Sequence, residues 1–109
     1  MVISNEARKE IALMIKNVIT SAEFGNDGTD PTVSDTVLGN SLITKTPTVS
    51  VSNNRITSQT SITSTELIGE TLKEEGIFMG SILLDRVVYP DFNKNDTNEF
   101  YVTNIIRVI

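Results

Sequence analysis

The residues best suited to chemistry are acidic, and they fall in two turn-rich stretches. Asp27, Asp30 and Asp35 lie within the run Gly25-Asn26-Asp27-Gly28-Thr29-Asp30-Pro31-Thr32-Val33-Ser34-Asp35-Thr36. Carboxylates do acid–base or glycosidase work only where a concave wall fixes their separation. A loop with glycines at 25 and 28 offers no such wall, so these groups read as solvated, and Glu70, Glu74 and Glu75 with Lys73 read the same way. The second stretch contains Asp91-x-Asn93-x-Asn95, which opens with the spacing of a calcium loop. In such loops alternate side chains turn inward to offer hard oxygen ligands. The pattern then lapses, with Asp96 in place of the sixth-position glycine and Val102 in place of the twelfth-position glutamate. Asp91, Asn93 and Asn95 therefore stand as a weak calcium candidate inside a polar connection. Gly25 and Gly28 form a Gly-x-x-Gly without a following Lys-Ser/Thr or helix, so no phosphate cradle is expected.

What is missing narrows the chemistry further. The 109 residues include no His and no Cys. That removes the commonest general base, the Ser-His and Cys-His dyads, thiolate nucleophiles, disulfides and zinc-thiolate sites. No enzyme activity and no cofactor are expected. With 9 Lys+Arg against 14 Asp+Glu the net charge is −5, which argues against a nucleic-acid partner. The N-terminus has no basic region followed by a long apolar run, and no stretch is apolar enough to span a bilayer. No membrane partner is expected, and the chain should stay in the cell that makes it or leave by lysis inside a larger assembly.

The elements that must position these groups read mostly as strands. The length suits one domain, 1–109, with a helix over about 4–19 and a β domain over about 20–109. Ser4 or Asn5 can cap the helix, Glu6 suits its first turn, and Ala7, Ile11, Met14, Ile15 and Val18 form an apolar stripe. A short strand is predicted over 18–24, and Val37-Leu38-Gly39 should pin the long loop back to the core. Thr48–Ser52 and Arg55–Ile62 alternate about Asn53-Asn54, which predicts a hairpin with a type I′ turn, Val51 opposite Ile56 and Ser50 opposite Thr57. Residues 66–75 read as a loop or helical turn, 81–89 as a strand, 90–98 as a second loop and 100–109 as the last strand. With no Trp and few aromatics, the core is expected to be mostly Ile, Val and Leu. The fold class is mainly β, an antiparallel β-sandwich with one N-terminal amphipathic helix packed on it.

Four segments, in collinear order, resemble a family of tailed-virus structural proteins. The Gly25–Gly39 run resembles that family's Gly-Thr-Gly-Thr-x-x-Pro-x-x-x-Asp-Thr-x-Leu loop, with Asn26-Asp27 interrupting its start. Glu74-Glu75-Gly76-Ile77-Phe78 resembles its Glu-x-Gly-Leu-Phe motif, and Gly80-Ser81-Ile82-Leu83-Leu84-Asp85-Arg86 its Gly-x-Leu-Leu-x-Arg strand. The closing strand, ending in alternating Ile and Val, is similar too. Related modules attach tail-collar fibres to the baseplate; no fibre sequence follows residue 109, which points to a free-standing virion subunit. The resemblance implies a non-enzymatic virion protein of the tail, baseplate, neck or head surface, made in host cytoplasm. Its expected partners are itself, as a homo-oligomer, and other virion proteins. Expected contact residues are Gly25, Asp27, Gly28, Asp30, Pro31, Asp35 and Thr36 in the loop, and Ile106 and Val108 in the last strand. Deleting 26–36 is expected to spare the fold and weaken assembly. The alternative is a module that binds host-surface carbohydrate or protein through the 25–39 and 90–98 loops.

Overall fold

The computed structural model describes residues 2–109. Helix α1 (Asn5–Val18) precedes β1 (Ser21–Gly25), β2 (Ser41–Lys45), β3 (Thr48–Ser52), β4 (Arg55–Ile62), β5 (Thr71–Met79), β6 (Ile82–Asn93) and β7 (Phe100–Arg107). The strands form two antiparallel sheets, ordered β2-β1-β5-β6 and β3-β4-β7. The β-sandwich with one N-terminal helix is therefore the observed architecture.

The helix begins where its cap predicts. The Ser4 hydroxyl accepts from the Ala7 N–H at 3.1 Å, and Glu6 and Lys16 sit at the ends the helix dipole favours. Its buried face is rotated from the expected stripe. Ala12 is fully buried and Ala7, Ile11 and Ile15 are half-buried, while Met14 and Val18 face out. The helix rests on β3 and β4, where the small Ala12 side chain permits close approach.

The hairpin has the predicted register, with Val51 opposite Ile56 and Ser50 opposite Thr57. Its turn departs from type I′, which takes positive φ at both central residues. Asn53 has φ 55°, whereas Asn54 does not enter that region. Asn54 is instead engaged with the chain's end: its side-chain amide donates to the Val108 carbonyl, and its own carbonyl accepts from the Val108 N–H.

Three expectations are corrected in the middle of the chain. Residues 71–75 belong to β5, a central strand, and are neither loop nor helical turn. β6 runs on to Asn93, so Pro90–Asn93 extend an edge strand where a loop was expected. Pro at a sheet edge forfeits no ladder bond if its nitrogen faces outward. β2 adds a strand to those predicted.

The core contains Ala22, Phe24, Ile62, Leu72 and Ile77, with Ile19, Leu42, Ile43, Leu84 and Val102 among the residues packed around them. Aromatics contribute more than their scarcity suggests. Phe100 of β7 meets Phe24 edge-on at 6.1 Å and lies 4.4 Å from Phe92 and 5.2 Å from Tyr89, ring centre to ring centre. Such pairs add about 0.5–1.5 kcal/mol beyond area burial. This one ring joins the two sheets.

Candidate functional site

A register shift in β5 decides which way its charges point. Between Leu72 and Glu74 the pairing with β6 slips. Leu72, Glu75 and Ile77 then face the second sheet, and Glu74 and Gly76 face the long loop 26–40. Both glutamates are fully buried, which corrects their reading as solvated.

Glu74 sits at the centre of a knot. Its Oε2 accepts from the N–H groups of Asp27 and Asn40, each at 2.9 Å. Its Oε1 accepts from the Gly39 N–H at 2.8 Å and from Arg86 Nε at 3.0 Å. Burial alone would raise the carboxyl's pKa, but the three backbone N–H bonds and Arg86 outweigh it and hold the group below the ordinary glutamate value. Arg86 directs three further hydrogen bonds at the same loop. Its Nη1 donates to the Thr29 carbonyl at 2.9 Å and to Asp35 Oδ2 at 3.2 Å, and its Nη2 to the Asp27 carbonyl at 3.2 Å. With its side chain 5% exposed and facing two carboxylates, the guanidinium stays charged.

The loop is built to fit this pair. Leu38 is buried against Gly76, as the expectation that 37–39 pins the loop requires. Asp35 accepts from the Thr32 N–H and hydroxyl, both at 3.0 Å, and Asp27 from the Thr29 N–H at 2.8 Å. The side chain and N–H of Thr29 for Asp27, and the N–H and hydroxyl of Thr32 for Asp35, are the chief causes of the lowered pKa of each aspartate. A side chain at Gly39 would run into the Asp27 carboxylate, and one at Gly25 into Glu74 and the Asn40 carbonyl. The run 25–40 is thus an ordered clasp over the outer face of the first sheet.

Between the sheets lies a second polar layer. Asn104 of β7 donates through Nδ2 to Asp85 Oδ2 at 2.9 Å and to Glu75 Oε1 at 3.4 Å. Ser58, paired in register with Asn104, and Thr60 lie on the same inner face. Among the described residues, Glu75 Oε2 and the hydroxyls of Ser58 and Thr60 have no hydrogen-bond partner. Burial pushes the Glu75 carboxyl up to about 7, the Asp85 charge adds to the rise, and the Asn104 bond opposes it.

The residues singled out from sequence divide sharply. Asp27 and Asp35 turn into the clasp, where they bond Glu74 and Arg86, and Gly25 leaves the room that Glu74 and the Asn40 carbonyl occupy. Gly28, Asp30, Pro31 and Thr36 are exposed on its outer surface. Ile106 and Val108 are half-buried, Ile106 beside buried Ile56 and Val108 bonded to Asn54. The outward positions of β7 are instead Tyr101, Thr103 and Ile105. The three residues of the calcium candidate each have partners of their own. Asp91 lies 3.9 Å from Lys73 Nζ, Asn93 Oδ1 accepts from the Thr71 hydroxyl, and Asn95 Oδ1 accepts from Thr97 and Asn98 in a tight turn. Among the described residues no three His, Cys, Asp or Glu side chains are grouped to hold a metal ion.

Sequence reasoning missed Glu74 and Arg86 as a buried pair, although both lie in the segments that carry the family resemblance. It also missed Lys94, buried and donating to the carbonyls of Ser64 and Asn95. The available signal was local: Glu74-Glu75 sits between Leu72 and Gly76-Ile77-Phe78, a setting more apolar than a solvated charge run. A scan of protein-family models matches none, and a search of curated proteins finds no significantly similar sequence.

Proposed function

We propose that this chain is a non-enzymatic structural protein of a tailed virus, working by self-association and docking to other virion proteins. One observation carries the reading. Three segments that resemble the tail-collar family, far apart in sequence, supply the members of one buried network: Asp27, Asp35 and Gly39, then Glu74, then Arg86. Motif residues that hold a loop to a sheet suit a structural module: Glu74 and Asp35, the carboxylates that meet Arg86, are engaged in that joint. The exposed loop surface at Gly28, Asp30, Pro31 and Thr36, and the open face of β7, are the docking surfaces in this reading.

The clasp also changes what loop deletion means. Removing 26–36 would strip Glu74 and Arg86 of the Asp27 N–H, two carbonyls and Asp35, so the deletion should unfold the chain as well as impair assembly. Exposed substitutions such as Asp30→Lys test docking without touching the network. The decisive experiment is quantitative mass spectrometry of gradient-purified particles from cells producing the virus that encodes the chain. A fixed copy number per particle is expected. Its absence from particles, with the chain abundant in the lysate, overturns the reading.

A further inference from the structure

The two sheets present four edge strands, and three are guarded. β6 carries Asp85, Arg86, Pro90 and Asp91. β2 and β3 have five residues each; β2 ends in Lys45, while β3 follows Pro47 and lies under α1. Charges, Pro, short length and covering elements are the devices that keep sheet edges from pairing. β7 has none of them over Phe100–Ile106; its sole charge, Arg107, is at its end. Beside this bare edge stand Tyr101, 68% exposed, and Ile105, 48% exposed.

The backbone of β7 is set for a partner. Val108 directs both its N–H and its C=O at Asn54, and the register with β4 continues without a shift to Phe100. Antiparallel strands alternate, so the even-numbered residues bond to β4 and the N–H and C=O groups of Tyr101, Thr103 and Ile105 point to the free edge. An antiparallel neighbour can therefore pair only odd with odd.

We propose that β7 pairs with β7 of a second copy about a two-fold axis at Thr103, joining the two three-stranded sheets into one of six strands. The register follows from complementarity. With Thr103 opposite itself, Tyr101 lies opposite Ile105 of the second copy, and Arg107 lies opposite its Glu99, each pair occurring twice. Shifting the axis to residue 102 or 104 keeps the odd pairing but loses both matches. The proposal extends the self-association in the proposed function but does not require the virus. A dimer with this register in a chain absent from particles would break that reading alone. Particle incorporation with monomeric chains and an unpaired β7 would break only this one.

The test uses the whole chain. Light scattering on the eluting protein should give twice the chain mass or a multiple of it. Arg107→Glu and Glu99→Arg should each weaken the dimer by about tenfold, and the double charge swap should restore it. The chain has no cysteine, so Thr103→Cys should yield a disulfide-linked dimer under mild oxidation, while Ser50→Cys on the outer face of β3 should not. Circular dichroism of each variant checks that the fold survives at these exposed positions. Three results would each overturn the proposal: a monomer at high concentration, a double swap as weak as the single changes, or a Thr103→Cys variant that cross-links no better than Ser50→Cys.

Discussion

Glu74 and Glu75 are consecutive, both fully buried, and opposite in every electrostatic respect. On one face of β5, Glu74 receives three backbone N–H groups and a guanidinium, and its charge is held. On the other, Glu75 has one long bond from Asn104, an unpartnered oxygen and a neighbouring carboxylate, and its charge is resisted. Burial costs a charge on either face; the supply of donors decides the outcome. Glu74 holds a loop in place, whereas Glu75 makes the joint between the sheets depend on protonation.

The largest expected effect breaks the well-supplied side. Arg86→Met strands a buried carboxylate and should cost about 3–5 kcal/mol in urea unfolding. Wild-type stability in that variant would mean the knot does not hold the clasp. Next, Glu75→Gln should stabilise the protein, on the order of 3 kcal/mol at pH 8 and scarcely at all at pH 4. The sign follows from a folded pKa of about 7 against an ordinary value of 4.5: the folded state binds the proton more tightly, so stability falls as pH rises from about 4.5 to 7. Glu74 acts in the reverse sense. Its folded pKa is lowered, so its contribution is present above 4.5 and lost as pH falls through the folded value. Between them the wild type should be most stable at about pH 5, and thermal melts from pH 3 to 9 check the shape. Loss of the decline above pH 5 in Glu75→Gln would assign it to this group; its persistence would place it elsewhere.

A smaller effect is expected at the clasp's closest approach. Gly39→Ala forces a methyl group against the Asp27 carboxylate and should cost about 1–3 kcal/mol. Asp35→Asn, which weakens one of several bonds to Arg86, should lower the melting temperature least. A loss as large as that of Arg86→Met would move the centre of the knot from Glu74 to Asp35.

Local pattern carried the parts of the fold that local forces determine. The Ser4 cap and the Val51–Ile56 register can be read from neighbours a few residues apart. The β5 shift could not be read that way, because a slip after Leu72 inverts the faces that alternation assigns to Glu74 and Glu75. Met14 and Val18 carry the same lesson on the helix: 3.6-residue periodicity marks an apolar side, but the shape of the β3–β4 surface chooses which line of it is covered. The clasp residues were visible as a motif, yet their partners lay in other segments. Charge alone gave no reason to bring an aspartate loop to an arginine 59 positions from Asp27.

That separation also shapes the order of folding. Bonds from the clasp to Glu74 and Arg86 close loops of 34 to 59 residues, and the full set, with Arg86 on β6 facing Glu74 on β5, cannot form until those two strands lie side by side. The clasp should therefore become ordered after the β5–β6 hairpin, and in the native protein it should open as a unit. In deuterated water the N–H groups of Asp27, Gly39 and Asn40, which share one carboxylate, should exchange at a common rate, ahead of the amides of central β5.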